Sequence, residues 1–209
     1  MFKNIRIYRK LKSKRYVDAL QLLPEDNEIS PIQLSYRAHC YFRLGQYEKA
    51  EQDFDRLKEF KNYVYFAFNN KGYMYLEQFL FDKAITELQK AVEMHPKQSF
   101  SLNNLGHAYM LTGKIEDGVK MVEDAIKLDR FNYYAIRNIG IYYLLKKQYS
   151  DALTVFLKAK NKDKTIDDIE NYILVCKYHL GNKNNKQELI NDLSDAELAR
   201  FEIILQNFT

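Results

Sequence analysis

Three short triplets recur on a fixed spacing: Asn70-Lys71-Gly72, Asn104-Leu105-Gly106 and Asn138-Ile139-Gly140, each 34 residues after the last. Other positions keep the same step. Ala50, Ala84, Gly118 and Ala152 are small, and Tyr47, Phe81, Ile115 and Tyr149 stand three residues before them. Phe54, Leu88, Val122 and Phe156 follow four residues after the small set, then Leu57, Ala91, Ala125 and Ala159. A period of this length limits the chain to stacked copies of one supersecondary unit.

Each unit reads as two helices. Leu102, Leu105, Gly106 and Tyr109 fall at i, i+3, i+4 and i+7, which is one face of an α-helix. A break at Thr112-Gly113-Lys114 follows, as at Leu44-Gly45-Gln46, and a second helix carries Ile115, Gly118, Val122 and Ala125. Three prolines and seven glycines in 209 residues favour long helices over a β-rich fold. Small residues are expected where two helix backbones approach closely, with the large ones filling the adjacent gaps. No single unit buries its own stripe, so each must stack on the next.

The pattern resembles the tetratricopeptide repeat, whose signature places Trp, Leu, Gly and Tyr in the first helix, then Ala, Phe, Ala and Pro. Gly72, Gly106 and Gly140 and then Tyr75, Tyr109 and Tyr143 match it, with Tyr41 in step. The Trp slot holds Leu34, Phe68, Leu102 and Ile136. The Leu slot holds Arg37, Lys71, Leu105 and Ile139, and the first two depart from the pattern in a way expected to loosen their units. The resemblance implies an all-α fold, a right-handed superhelical solenoid of antiparallel helix pairs. Four repeats span 31–64, 65–98, 99–132 and 133–166. Residues 1–30 read as a degenerate capping pair with a basic first helix, and 167–209 as a degenerate fifth repeat with a C-terminal capping helix. Ser30 is the expected N-cap before Pro31. Ser194 and Glu197 have the spacing of a capping box ahead of Leu198, Phe201, Leu205 and Phe208.

In the resembling family the first helices line a concave groove. Carried over position by position, the groove would be lined by Phe66, Phe100 and Tyr134, then Asn69, Asn103 and Arg137, then Tyr36, Asn70, Asn104 and Asn138, then His39, Tyr73 and His107. An amide both donates and accepts, so Asn70, Asn104 and Asn138 could grip the main chain of an extended peptide, as family members with an asparagine ladder do. The same amides could instead bond their neighbours and hold the stack. The family's carboxylate clamp needs Lys and Asn where this chain has Ser35 and His39, and Lys and Arg where it has Phe100 and Asn104, with only Asn70 matching, which argues against Hsp70 or Hsp90 tails as ligands.

Little points to chemistry. His39, His95, His107 and His179 lie on different repeats, without Cys, Asp or Glu at ligand spacing, so no metal and no cofactor is expected. Acidic pairs such as Asp167–Asp168 read as solvated surface, and no phosphate loop or nucleophile elbow is present. Cys40 and Cys176 fit no disulfide framework and suit a reducing cytoplasm. No run is long and apolar enough for a membrane span. Seven basic residues (Lys3, Arg6, Arg9, Lys10, Lys12, Lys14, Arg15) precede the first acidic one, Asp18. That segment reads as a solvated helix face, a presequence-like arm or an anionic-partner site; nucleic acid or an anionic membrane enters only through residues 3–15. The expected function is a non-enzymatic adaptor or scaffold that binds a peptide segment or partner protein in the groove. The alternative is a dedicated inhibitor or immunity-type protein that neutralises one cognate toxin or enzyme.

Overall fold

The computed structural model describes residues 2–24, 28–163, 166, 169–181 and 206. The expectations for Asp167, Asp168 and the capping helix from Ser194 to Phe208 lie outside these residues. Among the described residues every regular element is helical, as expected. The chain divides into two compact units, 1–96 and 97–209.

In the first unit α1 (Phe2–Lys12) pairs with the short α2 (Tyr16–Leu20), and Ile7, Ala19 and Cys40 are fully buried between them and the next helix. The helix α3 (Pro31–Arg43) begins as the sequence predicts. Ser30 is extended, Pro31 opens the helix, and Gln33 Oε1 accepts from the Ser30 N–H at 3.1 Å. Gln33 Nε2 donates to Asn4 Oδ1 at 2.9 Å, which ties α1 to α3. Helices α4 (Tyr47–Leu57), α5 (Val64–Glu77) and α6 (Phe81–Met94) complete the unit, with a 3-10 turn at Lys61–Tyr63. Leu34, Leu57 and Ala67 are fully buried where successive pairs meet.

Arg37 and Lys71 are both paired with acids of the neighbouring helix in this unit. The Arg37 guanidinium makes a two-pronged pair with Asp53 on α4, at 2.8 and 2.7 Å. Lys71 Nζ reaches back to α4, 2.8 Å from Asp55 and 3.0 Å from Glu51. Burial alone would lower the Lys71 pKa, but the hydrogen bonds it donates to Asp55 and Glu51 prevail and hold it above the ordinary lysine value. Tyr75 also donates to Glu51, and its hydroxyl is pushed up to about 12 by burial and by that bond. An ionic layer here takes the place of aliphatic packing.

The second unit contains α7 (Ser99–Leu111), α8 (Ile115–Leu128), α9 (Tyr133–Leu145), α10 (Tyr149–Lys162) and α11 (Ile169–Leu180). Its Leu slots are apolar, with Leu105 buried and Ile139 partly so. The small residues sit at close approaches. A Cβ on Gly118 would run into the Gly106 carbonyl oxygen, and one on Gly140 would lie 2.5 Å from the Phe156 ring. Buried polar groups join three helices: Ser99 Oγ donates to the Ala125 carbonyl, and Asn132 Nδ2 donates to Ser99 Oγ, both at 2.8 Å. Asn132 Oδ1 caps α9 at the Ala135 N–H. The turn residue between paired helices is left-handed at Gly45, Phe79, Gly113 and Lys147, so the period includes two positions where the sequence carries no glycine.

Candidate functional site

In the first unit the first-helix positions are mainly aromatic. His39 meets the rings of Tyr16 and Phe42 edge-on, at 5.9 and 6.1 Å, and Phe42 meets Tyr73 at 5.8 Å. A row of rings thus runs from α2 through α3 to α5. Tyr36 and Tyr73 are half-buried, and burial pushes the Tyr36 hydroxyl up. Phe66 is 50% exposed, packed against Tyr63 and Tyr65, and Tyr65 in turn sits against His95 at 4.9 Å. Asn69 is buried and donates to Asn70 Oδ1 at 3.4 Å; Asn70 is half-buried.

The second unit places Phe100, 49% exposed, one turn before Asn103 and Asn104. A chain of hydrogen bonds crosses from α9 to α7. Arg137 Nε and Nη2 donate to Asn138 Oδ1 at 3.2 and 3.1 Å, and the guanidinium lies 5.5 Å from the centre of the Tyr134 ring. Asn138 Nδ2 donates to Asn103 Oδ1 at 2.8 Å, and Asn103 Nδ2 donates to Asn104 Oδ1 at 3.3 Å. Each bond polarises the next toward Asn104, which is half-buried.

This corrects one part of the expected ladder. Asn138 does not look outward: it has no exposed surface, its carbonyl is held by Arg137 and its amino group by Asn103. The cause is the neighbour. Where the two preceding repeats carry Asn69 and Asn103, this one carries Arg137, whose guanidinium claims the carbonyl. Asn103, Arg137 and His107 are buried as well, at 1, 3 and 8% exposure. The positions that reach the surface are Phe66, Phe100, Tyr134, Tyr36, His39, Tyr73, Asn70 and Asn104. Tyr63 adds to the surface aromatics of the first unit beyond the residues expected from the sequence, while Phe42 and Tyr65 back them from the buried side. Tyr63 precedes the second repeat, and only its aromatic character could have marked it.

Cys40 and Cys176 are buried free thiols, both pushed up to about 12 by burial, so neither supplies a thiolate near neutrality. Among the described residues no group of three or more His, Cys, Asp or Glu could hold a metal ion. Nor is any described helix long and apolar enough to cross a membrane.

Comparison with known proteins agrees with the paired-helix fold. The family model for the tetratricopeptide repeat matches residues 37–62, 67–98 and 101–132. No curated protein is matched. Among solved structures, a thermophilic TPR protein of Thermus thermophilus is similar with a TM-score of 0.68 and 16% identity over 85% of this chain and 100% of that one. MamA of Desulfovibrio magneticus RS-1 has a TM-score of 0.56 and 22% identity, covering 79% and 96%. A mutant O-GlcNAc transferase of Thermobaculum terrenum has a TM-score of 0.55 and 19% identity over 63% of this chain but 26% of that one. The period, the paired helices and the family match identify residues 37–62, 67–98 and 101–132 as tetratricopeptide repeats.

Proposed function

We propose that the chain is a non-enzymatic protein-binding module whose first-helix faces hold an uncharged, apolar or aromatic segment of a partner protein. The observation that carries this is the character of the lining: Phe66 and Phe100 stand half-exposed at equivalent positions, beside the half-buried amides of Asn70 and Asn104. Aromatic rings give large contact area at small entropic cost, and an amide bonds main chain whatever the side chain. The proposal includes a cytoplasmic location, in keeping with two free thiols.

A displayed random-peptide library, panned against the purified protein, tests this. Enriched sequences should be rich in apolar and aromatic residues, and their affinity should change little with salt. Phe66→Ala with Phe100→Ala should weaken binding by about tenfold or more, as truncating central aromatic anchors does. Enrichment of acidic tails, or a double variant that binds as before, would overturn the reading. Tight binding of a folded partner with no peptide competition would instead favour the inhibitor role.

A further inference from the structure

The basic segment is a well-anchored helix, and its outer face has a composition of its own. Ile7 is fully buried and Leu11 packs beside it against Ala19 and Cys40, while Asn4 is bonded to Gln33. That fixes which residues of α1 turn away from the unit. Lys3, Arg6, Arg9 and Lys12 are exposed, and Ile5 and Tyr8, three residues apart, are 43% and 49% exposed among them. The acid nearest in sequence, Asp18, is taken by Lys10 at 3.0 Å and by Arg15. Among the described residues no ion pair engages Lys3, Arg6, Arg9 or Lys12; the Lys12 ammonium lies over the Tyr8 ring, 5.8 Å from its centre.

From this face we propose that α1 is an adsorption site for the surface of an acidic phospholipid bilayer. Four cations with no acidic partner among the described residues complement a plane of phosphates and carboxylates. Ile5 and Tyr8 lie where a helix resting on the headgroups would place its small apolar contact. The second feature decides between polyanions. Nucleic acid would engage the cations through phosphates and gain little from Ile5. A lipid interface takes up both the charges and the two apolar side chains. The apolar stripe proper is used inside the unit, so attachment is shallow and reversible, dominated by charge. Each cation near an acidic surface contributes about fivefold to partitioning.

The test uses the full chain and sedimentation with vesicles of phosphatidylcholine alone or with about one-third phosphatidylserine, a composition that sets a strongly negative surface potential. The protein should sediment with acidic vesicles at low salt, stay in solution with neutral ones, and leave the acidic ones at about 0.5 M salt, where screening is strong. Arg6→Glu with Arg9→Glu, checked by circular dichroism for retained helix, should lower partitioning by about 25-fold or more, counting only the two lost cations. Ile5→Ser with Tyr8→Ser leaves the charge unchanged and should still lower it several-fold. Failure to bind acidic vesicles at low salt, or unchanged binding by the charge-reversed variant, would overturn the proposal. Binding to a DNA duplex that is tighter than to vesicles and indifferent to the Ile5 and Tyr8 changes would also overturn it, and would assign the face to nucleic acid.

Discussion

Replacing Asn138 with alanine separates two roles that a shared spacing makes look identical. The side chain accepts two bonds from a guanidinium that is 3% exposed and donates one to the buried Asn103 carbonyl. A net hydrogen bond to a charged group is worth about 1.5–3 kcal/mol, and a neutral one about 1 kcal/mol. Loss of Asn138 also takes one partner from the buried Arg137 guanidinium and one from the buried Asn103 side-chain carbonyl, while Asn103 keeps its own bond to Asn104. Because bonds within one network are not additive, the expected cost of Asn138→Ala is about 3 kcal/mol. In a chain of this size each kcal/mol lowers the melting temperature by about 2–4 °C, so the fall should be about 6–12 °C. Asn104→Ala removes a half-buried side chain that keeps access to water, so it should cost less than Asn138→Ala while weakening peptide binding. Thermal melts of both variants, with hydrogen exchange to locate the loosened amides in 97–209, make the comparison. If Asn138→Ala melts within about 2 °C of the parent, roughly the 1 kcal/mol resolution of the argument, the network is not holding the repeats together.

Other substitutions test the packing and the ionic layer. Gly118→Ala gains about 1 kcal/mol of helix propensity, but its Cβ would run into the Gly106 oxygen and sit 2.8 Å from the Met110 nitrogen. Prising two backbones apart costs about 1–3 kcal/mol, so denaturant melts should show net destabilisation; a more stable variant would mean the helices slide freely. Arg37→Met should cost about 3 kcal/mol, because it strands the Asp53 carboxylate, whose side chain is 7% exposed. Lys71→Met should cost far less, because Glu51 and Asp55, at 40% and 50%, can turn to water. Lys147→Gly should stabilise by about 0.5–1 kcal/mol by relieving a φ of 57°, a gain that urea midpoints can resolve. Acid should loosen the first unit. Glu51 is held low by its bond from Tyr75 and then by Lys71, and in Asp55 bonds to Lys71 and Lys58 outweigh burial, which alone would raise it. Both carboxylates therefore contribute stability above their unfolded values, near pH 4, and lose it as pH falls through the lower folded ones. Reduced protection against hydrogen exchange in 1–96, taken relative to the intrinsic rate, as pH falls below about 4 would show this, and unchanged protection there would count against it.

The repeat period makes nearly all of the described helical order legible, because small residues such as Ala84 and Gly106 can occur every 34 residues only if backbones keep meeting there. Two things escape the pattern. Charge in the Leu slot looks like decay until the partner helix is in place, and Asp53, Asp55 and Glu51 carry no mark that pairs them with Arg37 and Lys71. Likewise, whether an asparagine faces water depends on the residue beside it. Asn104 follows another asparagine and stays at the surface, while Asn138 follows Arg137 and is drawn in. The aromatic lining is legible only where it falls on repeat positions, and Tyr63 lies outside them.

The polar joint of the first unit has a consequence for how such a chain keeps its order. Copies of one repeated segment carry interchangeable apolar surfaces, and a folding intermediate could dock the wrong neighbours. Arg37 matched to the buried Asp53 acts as a key cut for one lock, with the more exposed Lys71 pairs adding little. A segment bearing Leu105 or Ile139 in the place of Arg37 would leave that acid without its cation. Grafting a later segment into the early position should therefore yield a poorly assembled protein even though every helix in it is intact.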